Sequence, residues 1–442
     1  MVSTMNTFAE EFPELARPCV GESFPDPQVM VLNEPLAKDL GLDPEWLRSP
    51  AGIDFLTGQG KCFALGYAGH QFGQFNPRMG DGRALLLRED GRDIHAKGTG
   101  RTPFSRGGDG HYPLDAALKE YAFAESLHAL GVPTARSLAV LTTGGTIMRN
   151  GLHPGAIGVR VASSHIRIGT FQYAALMGPT VTERLVDYTL ARHFPDGASL
   201  LDLFDATVTR QAELVAQWMR FGFIHGVMNT DNVAISGETI DFGPCAFMDY
   251  FATDTVYSSI DTRGRYAYGQ QPAVMMWNLA RLAEALVPLV DEGVKKFTER
   301  LYRFQPQYAE AWDAQMAAAL GAPDCAEQLL DLLQVAAPDY NAMLANLTSG
   351  VIPQGLESTP GAVEWTERWS EYAPHPRNPI YLPRNHGMQA ALEQAEKGDM
   401  TRYLLALEAL QNPFEWDDKY EKLGLHAAVP REEAEFTTYC GT

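Results

Sequence analysis

The sequence predicts an α+β protein of two lobes, a small lobe rich in strands followed by a larger, mainly helical lobe. Glycine is dense and apolar runs are short between residues 63 and 163, as in a small sheet with tight turns. From residue 164 onward, apolar residues mostly recur at helical spacing. A length of 442 residues suits two or three domains or one large bilobal unit. We therefore predict lobes at 1–163 and 164–442.

The first lobe begins with about 60 residues that are rich in loops and contain one short helical pattern, Glu34 to Leu40. Short apolar runs then predict strands. ALLL and DIHAK precede a glycine cluster, GTGRTPFSRGGDG, whereas ARSLAVL and AIGVRVA follow the next helix. That helix is predicted from about Pro113 to Leu130, and Gly131 closes it.

The second lobe is predicted to be helical apart from residues 223–243, which alternate loop and short strand. No internal repeat or long linker interrupts this pattern. Helices are predicted at 171–193, 207–222, 272–291, 294–304, 307–320 and 324–335.

Charge and cysteine content narrow the class of protein. With 35 Lys and Arg against 55 Asp and Glu, the formal net charge is −20, which disfavours general binding to nucleic acid or to anionic membranes. No stretch approaches the roughly 20 apolar residues of a membrane helix, and the acidic N-terminus does not resemble a secretory signal. The five cysteines are dispersed without CxxC spacing, which favours a reducing cytoplasm.

The most informative stretch is His225-Gly-Val-Met-Asn-Thr-Asp231-Asn232, followed by Asp241-Phe-Gly. An Asn nine residues before the Asp of a DFG triplet is the arrangement with which protein kinases hold Mg²⁺ on the nucleotide phosphates. Amide and carboxylate oxygens are the ligands that such a hard cation requires. The alternative is an ordinary hairpin, in which Asn232 caps a turn and Asp241 precedes a glycine. The spacing favours a metal site formed by Asn232 and Asp241.

One requirement of a protein kinase is not met. The catalytic Asp of a kinase stands two residues after the His and five before the Asn, and here that position is Val227. Valine cannot accept a proton, but a carboxylate is present at Asp231. Either the protein is catalytically inactive or it performs different chemistry on the nucleotide.

The first lobe supplies further candidates for a phosphate site. Lys97 ends a predicted strand and Glu120 lies on the following helix, so they could form the paired charges that buried sites require. Arg160 and Arg167 could bind phosphate through their forked guanidinium groups. Taken singly, each of these residues is more often a solvated surface charge. The order of Lys97 and Glu120 relative to residues 231–243 favours the phosphate site for that pair. Small residues also allow backbone N–H groups to approach phosphate, and the candidates of this kind lie in two turns, Gly80-Asp81-Gly82-Arg83 and Asp109-Gly110.

Long motifs make the sequence specific. They are GYAGHQFGQFNPRMGDGRALLL (66–87), HAKGTGRTPFSRGGDG (95–110), ALGVPTARSLAV (129–140), VRVASSHIRIG (159–169) and HGVMNTDNVAISGETIDFGPCAFMD (225–249). Together with LNEPLAKDLGLD and RNHGMQAALEQAEKGD, they resemble the selenoprotein O (SelO/YdiU) family. Members of that family are pseudokinases that act as protein adenylyltransferases. The resemblance implies a bilobal, protein-kinase-like fold.

The resemblance also implies a mechanism and a set of site residues. ATP is bound in the reverse direction to that in kinases, so AMP is transferred to a Ser, Thr or Tyr hydroxyl of a protein and pyrophosphate leaves. Asp231 would be the base, and Asn232 and Asp241 would bind Mg²⁺ or Mn²⁺. The nucleotide would be held by Asp241 and by the remaining matched residues. These are Gly80, Gly82, Arg83, Lys97 with its partner Glu120, Asp109, Gly110, Arg160 and Arg167. Arg160 and Arg167 would bind the γ-phosphate.

One feature departs from the family. SelO proteins pair a C-terminal Cys or selenocysteine with a Cys of the activation segment, a feature tied to redox homeostasis. Here Cys440 stands at the C-terminal position, but the segment position is Tyr257, and the nearest other cysteine is Cys245. An internal regulatory disulfide is therefore not expected.

The sequence leaves three hypotheses. The first is an ATP- and metal-dependent protein adenylyltransferase, monomeric and cytoplasmic, with UMP transfer using the same residues. The second is a kinase whose base has moved to Asp231, against which Val227 and the arginine pair count. The third is a pseudokinase that binds nucleotide without catalysis, against which the retention of Asp231, Asn232 and Asp241 counts.

Overall fold

The computed structural model describes residues 7–348, 355–373 and 376–439. Short strands, mostly bounded by glycine or proline turns, make up the first part of the chain. The strands of the described residues are β1 (Ala16–Cys19), β2 (Gln28–Leu32), β3 (Cys62–Leu65), β4 (Gly69–Gln71), β5 (Gln74–Asn76), β6 (Ala84–Asp90), β7 (Arg92–Lys97), β8 (Tyr112–Pro113), β9 (Arg136–Met148), β10 (Leu152–Ala162), β11 (Phe223–Ile224) and β12 (Ala246–Phe247).

Eight of these strands form one antiparallel sheet. Its order is β1-β3-β6-β7-β10-β9-β2, and β8 pairs with the outer part of β10. The β4–β5 and β11–β12 pairs form two separate hairpin-like sheets. The register places Arg160 of β10 opposite His95 of β7, and Gly158 opposite Lys97. Because alternate residues of a strand share a face, His95, Lys97 and Arg160 lie on the same side of the sheet.

Helices dominate the rest of the chain. They are α1 (Phe8–Glu11), α2 (Glu34–Asp39), α3 (Pro44–Arg48), α4 (Pro50–Leu56), α5 (Leu114–Ala129), α6 (Ile168–Met177), α7 (Pro179–His193), α8 (Leu200–Phe221), α9 (Gln271–Leu286), α10 (Gly293–Leu301), α11 (Phe304–Leu320), α12 (Ala326–Ala336), α13 (Tyr340–Thr348), α14 (Ala362–Glu371), α15 (Asn385–Glu396) and α16 (Thr401–Gln411).

Four apolar clusters hold the described residues together, one of them between the sheet and α2–α4. Two of the four involve α5. The larger core joins α6 to α14 with the first residues of the chain and with one face of α5. The second core is formed by the other face of α5 against α15 and α16, where the Tyr403 hydroxyl donates to the Leu118 carbonyl at 2.8 Å. The molecule is therefore a mixed α/β protein with a sheet lobe and a helical region, and α5 packs against both.

Several predicted elements are confirmed and others need correction. The helix expected at 113–130 is α5, and the strand runs before and after it are β6, β7, β9 and β10. The single helix expected at 171–193 is two helices, because Gly178 adopts a φ of +114° and Pro179 starts α7. The helix expected at 207–222 starts at Leu200, where the Ser199 hydroxyl caps its first turn. Strands β1 and β2 were not expected in the first 60 residues.

The alternation of strand and loop expected for 223–243 is found only in part, because strand β11 lies within this segment and its partner β12 lies beyond it, with isolated bridges at Val233, Ala234 and Thr239 between them. Strands β11 and β12 pair, and a single 3-10 turn, Thr230–Asn232, lies in the loop between them. His225 directs its Nε2 to the Ile240 carbonyl at 2.9 Å, which ties the start of the loop to the residue before Asp241. Across the described part of the chain, every helix is too short or too polar to cross a bilayer.

Candidate active site

A cavity of about 1270 Å³ separates the sheet lobe from the helical region. Among the residues predicted for the site, all but Glu120 line this cavity. They come from four parts of the chain that are far apart in sequence: the turn before β6, the end of β7 with the glycine-rich loop after it, the β10–α6 connection, and the loop between β11 and β12. The fold thus brings the predicted set together around one space large enough for a nucleotide.

Asp241 is the point at which the cationic residues meet. Its carboxylate accepts from Arg160 at 2.6 Å and from Arg167 at 3.0 Å, and Lys97 Nζ lies 3.7 Å away. Burial opposes ionisation, but the charges of Arg160, Arg167 and Lys97 outweigh it and hold the pKa of Asp241 well below its usual range. The backbone of Asp241 adopts a φ of +62°, a conformation that costs a non-glycine residue about 1–3 kcal/mol. Such strain is typical of functional sites.

Lys97 and Glu120 form the ion pair that the sequence predicts. Lys97 Nζ lies 2.6 Å from Glu120 Oε1, with both side chains largely buried. The ammonium group also lies over the ring of Tyr112, 4.6 Å from its centroid. Glu120 reaches Lys97 from α5, behind the cavity wall, which explains why it does not line the cavity itself. The pair fixes the lysine at the cavity wall while satisfying its buried charge.

The two glycine-containing turns lie on one side of the cavity. In the loop after β7, Gly110 has a φ of +78°, and a Cβ there would lie 2.1 Å from the Gly100 carbonyl carbon, so a larger residue cannot be accommodated. The Asp109 carboxylate accepts two hydrogen bonds of 2.8 Å from Arg149, which holds the pKa of Asp109 well below its usual range. Arg83 stacks on the Tyr112 ring, 4.8 Å from its centroid.

Asp231 has a different environment from Asp241. It is 5% exposed, and its Oδ1 has no hydrogen-bond partner among the described residues. Burial raises the pKa of Asp231 to about 6, with smaller opposing effects from its backbone and from Arg167. A buried carboxylate of that pKa, facing a cavity, has the properties of a general base.

Residues of the sheet lobe pack against Asp231 and bury it. Gly69 of β4 lies so close that a Cβ at this position would be 2.3 Å from Asp231 Oδ1. The backbone N–H of His70 donates to Thr230 Oγ1 at 2.7 Å, and that of Phe72 donates to Asn229 Oδ1 at 3.2 Å. The β4–β5 pair is therefore fixed to the loop that carries Asp231.

The residues predicted to hold a metal fit that role. The Asn232 amide nitrogen donates to the Val227 carbonyl at 2.9 Å, so the other atom of the amide, a hard oxygen donor, is the one left for a cation. The Asp241 carboxylate is 18% exposed, toward the cavity. Oxygen donors of this kind suit Mg²⁺ or Mn²⁺. A separate group, Asp115, His153 and Glu396, offers ligand atoms within 4.8 Å of one another, and its first two members also line the cavity.

Sequence reasoning missed several residues of this site. Tyr67 covers one face of the Arg167 guanidinium, 4.5 Å from the ring centroid. Asp81, within the predicted Gly80–Arg83 turn, lies beneath Arg167, and Arg149 holds Asp109. Asp81 stands between two glycines of the motif at residues 66–87, and this position was the one sequence feature that could have indicated its place in the site. The contacts of Tyr67 and Arg149 depend on the tertiary fold and leave no local pattern.

The family resemblance places the cysteine of the activation segment at a position that is Tyr257 in this chain. Tyr257 is buried, and its carbonyl accepts from the backbone N–H of Thr438 at 2.7 Å. Thr438 thus pairs with this segment through backbone hydrogen bonds. Cys245 is fully buried, and burial raises the pKa of its thiol to about 12. Cys440 lies outside the described residues.

Comparisons with known proteins agree over nearly the whole chain. A family model described as protein adenylyltransferase SelO matches residues 3–424. The chain is 46% identical over 477 aligned positions to a protein nucleotidyltransferase YdiU of Corynebacterium efficiens, covering 98% of this chain and 95% of the relative. For the protein of the same name in Mycolicibacterium smegmatis, identity is 47% over 481 positions, covering 100% and 98%. For that of Pseudarthrobacter chlorophenolicus it is 45% over 482 positions, covering 98% and 97%.

Proposed function

The chain belongs to the protein adenylyltransferase SelO family and is a nucleotidyltransferase, and we propose that it transfers AMP from ATP to Ser, Thr or Tyr hydroxyls of proteins. The observation that carries this proposal is the asymmetry of the two carboxylates at the cavity. Asp241 is surrounded by three cationic side chains, whereas Asp231 is buried with an oxygen left unpaired. One carboxylate suits phosphate and metal binding, and the other suits proton abstraction.

The proposed fold is protein-kinase-like, with residues 1–163 as the smaller lobe and 164–442 as the larger. In this arrangement Val227 occupies the position of the catalytic Asp of a kinase. Valine cannot orient a hydroxyl for attack on a γ-phosphate, which disfavours phosphoryl transfer. Asp231 lies four residues further along the same loop and would serve an acceptor that approaches the α-phosphate.

We assign the γ-phosphate to Arg160 and Arg167 and the remaining phosphates to Lys97, which Glu120 orients. The turns that contain Gly80, Gly82 and Arg83, and Asp109 and Gly110, would complete the nucleotide site. Three permanent or paired cations around the phosphates offset the negative charge that grows on pyrophosphate as it leaves. The two arginines also suit phosphate because their guanidinium forks donate two parallel hydrogen bonds.

Asn232 and Asp241 would hold Mg²⁺ or Mn²⁺, which neutralises phosphate charge when bound. In the reaction, Asp231 accepts the proton of the acceptor hydroxyl, whose oxygen forms a bond to the α-phosphorus. The bond between the α-phosphorus and the bridging oxygen breaks, and that oxygen leaves with pyrophosphate. A positioned base of this kind contributes about 10²–10⁴-fold, and positioning supplies most of the remainder.

We further propose that the protein acts as a monomer on cytoplasmic proteins and not on nucleic acid or at membranes. The net charge of −20 supports this because it repels polyanions. The family link to redox homeostasis would then lie in the proteins modified, since Tyr257 replaces the cysteine of the activation segment.

The test is label transfer from ATP that carries its label at either the α- or the γ-phosphate, with Mg²⁺ or Mn²⁺ present. Asp231→Ala is compared with a matched variant, Asp313→Ala, which removes an exposed carboxylate from α11. We expect protein labelling from α-labelled ATP, lost in Asp231→Ala and retained in Asp313→Ala. Labelling from γ-labelled ATP would identify a kinase, and nucleotide binding without labelling would identify a non-catalytic pseudokinase.

A further inference from the structure

We propose that Asp81 is a positioning residue for Arg167, and that His95 holds Asp81 in this role. The inference rests on the proposed function, because it concerns the arginine that we assign to the γ-phosphate. It adds two buried residues, Asp81 and His95, that hold Arg167 in position at the phosphate site. Both residues lie within sequence motifs of the first lobe, but neither was assigned a role in the site from the sequence.

Several groups hold Arg167 in place, although its Nε has no hydrogen-bond partner among the described residues. It is 2% exposed, and its Nη1 donates to the Asp231 carbonyl at 2.7 Å and to Asp241 Oδ2 at 3.0 Å. The Tyr67 ring covers one face, and Asp81 Oδ1 lies 4.0 Å from Nη2. If Asp241 serves as a metal ligand, its charge is shared with the cation. Asp81 is then the carboxylate that remains to orient Nη2 and offset the arginine charge.

Asp81 is held rigidly through both its backbone and its side chain. Its N–H donates to the Leu65 carbonyl at 2.8 Å, and its carbonyl accepts from Thr102 Oγ1 at 2.5 Å. The second carboxylate oxygen, Oδ2, accepts from the Leu65 N–H at 3.0 Å and faces His95 Nε2 at 2.9 Å. With Oδ2 occupied twice, Oδ1 is the oxygen left to face Arg167.

His95 has the environment of a fixed hydrogen-bond donor. It is fully buried and stacks on His165, with ring centroids 4.3 Å apart. Its Nδ1 has no hydrogen-bond partner among the residues that the structure describes. Burial also lowers the pKa of His95, so the neutral ring with its proton on Nε2 fits the site. A neutral donor can hold the Asp81 carboxylate without adding a charge that would repel Arg160 and Arg167.

This arrangement predicts a selective effect on triphosphate binding. An arginine fork that turns out of place loses its bidentate contact with a phosphate. Because ADP lacks the γ-phosphate, loss of Asp81 or His95 should weaken binding of ATP more than binding of ADP. A general weakening of the fold would affect both nucleotides alike.

The experiment measures binding of ATP and of ADP by calorimetry to the whole protein and to three variants, in buffer without metal and with Mn²⁺. Asp81→Asn removes the charge, and His95→Leu removes the donor. His95→Gln retains an N–H that can reach Asp81. We expect the first two to raise the Kd for ATP about tenfold, the effect of losing a charge-assisted contact, with less than about a threefold change for ADP. His95→Gln should restore most of the ATP affinity.

Several outcomes would overturn the proposal. Unchanged ATP affinity in Asp81→Asn, or equal losses for ATP and ADP, would show that Asp81 does not position Arg167. Thermal melting identifies any variant that fails to fold, and in that case His95→Gln against His95→Leu decides the question alone. The binding comparison is independent of catalysis. An absence of α-label transfer by the unaltered protein would refute the proposed function, whereas loss of nucleotide selectivity in the variants would still support the role of Asp81.

Discussion

Replacing Asp231 with Asn should abolish AMP transfer and, at neutral and alkaline pH, make the folded protein more stable. Burial raises the pKa of this carboxyl from an ordinary value of 3.8 to about 6. Since one pKa unit corresponds to about 1.4 kcal/mol, the ionised carboxylate destabilises the folded state by about 3 kcal/mol well above pH 6. A buried amide without a partner costs about 1–3 kcal/mol. The net gain expected for Asp231→Asn is therefore about 0–2 kcal/mol.

The gain should depend on pH with a definite sign. A carboxyl whose pKa is higher in the folded state favours folding while it is protonated, and this benefit is lost as the pH rises through the folded pKa. Unaltered protein therefore loses stability from Asp231 mainly between about pH 4 and pH 6, from the ordinary pKa to the folded pKa, whereas the variant does not. We expect the variant to fall below the unaltered protein near pH 4, where only the amide penalty remains, and to exceed it at pH 8.

Urea unfolding, followed by tryptophan fluorescence at pH 4, 6 and 8, measures this difference. Asp313→Asn provides the control, because that carboxylate is exposed and its loss should not change the pH dependence. A variant that is less stable than the unaltered protein at pH 8, or a difference independent of pH, would refute the view that Asp231 is destabilised by burial.

Three further predictions follow from the site. The kcat/KM for protein acceptors should rise through about pH 6 and level off above it, because Asp231 must be ionised to accept a proton. A pH–rate profile that is flat between pH 5 and 8 would exclude Asp231 as the base. Gly69→Ala should reduce label transfer by about 100-fold, because its Cβ would lie 2.3 Å from Asp231 Oδ1. Gly60→Ala, where a Cβ meets nothing within 4 Å, is the control, and equal activity of the two variants would contradict the close packing. Reducing agents should leave label transfer unchanged, because Cys245 is buried with its pKa raised to about 12 and the resemblance places Tyr257 where the family has a cysteine. Activation of label transfer by reductant would indicate a regulatory disulfide and contradict this expectation.

The sequence predicted the loop of the site well because short-range spacing determines it. The residues from His225 to Asp241 lie between two short paired strands, β11 and β12, and contain one 3-10 turn, so their order along the chain largely dictates their positions. Lys97 and Glu120 were also predictable, since a strand end and the next helix meet wherever such a helix packs on its sheet. Their pairing at 2.6 Å agrees with that expectation.

Contacts between distant parts of the chain could not be predicted in this way. Gly69 covers Asp231, and His70 bonds to Thr230, although 160 residues separate the last two. Tyr67 and Asp81 reach Arg167 only after β3, β6 and β10 have formed one sheet. Packing of α16 on α5 likewise joins Tyr403 to Leu118 across 285 residues. Such contacts arise from tertiary packing and leave no periodic signal in the sequence.

The proposed transfer of AMP can be tested by the mass that a protein acceptor gains. The acceptor is incubated with equal concentrations of ATP and UTP and with Mg²⁺ or Mn²⁺. Intact-mass spectrometry distinguishes an added AMP group from UMP and from phosphate in a single measurement. We expect addition of AMP, lost in Asp231→Ala and retained in Asp313→Ala. Addition of phosphate would contradict the proposed AMP transfer, because it would mean that the γ-phosphate, not the α-phosphate, faces the acceptor.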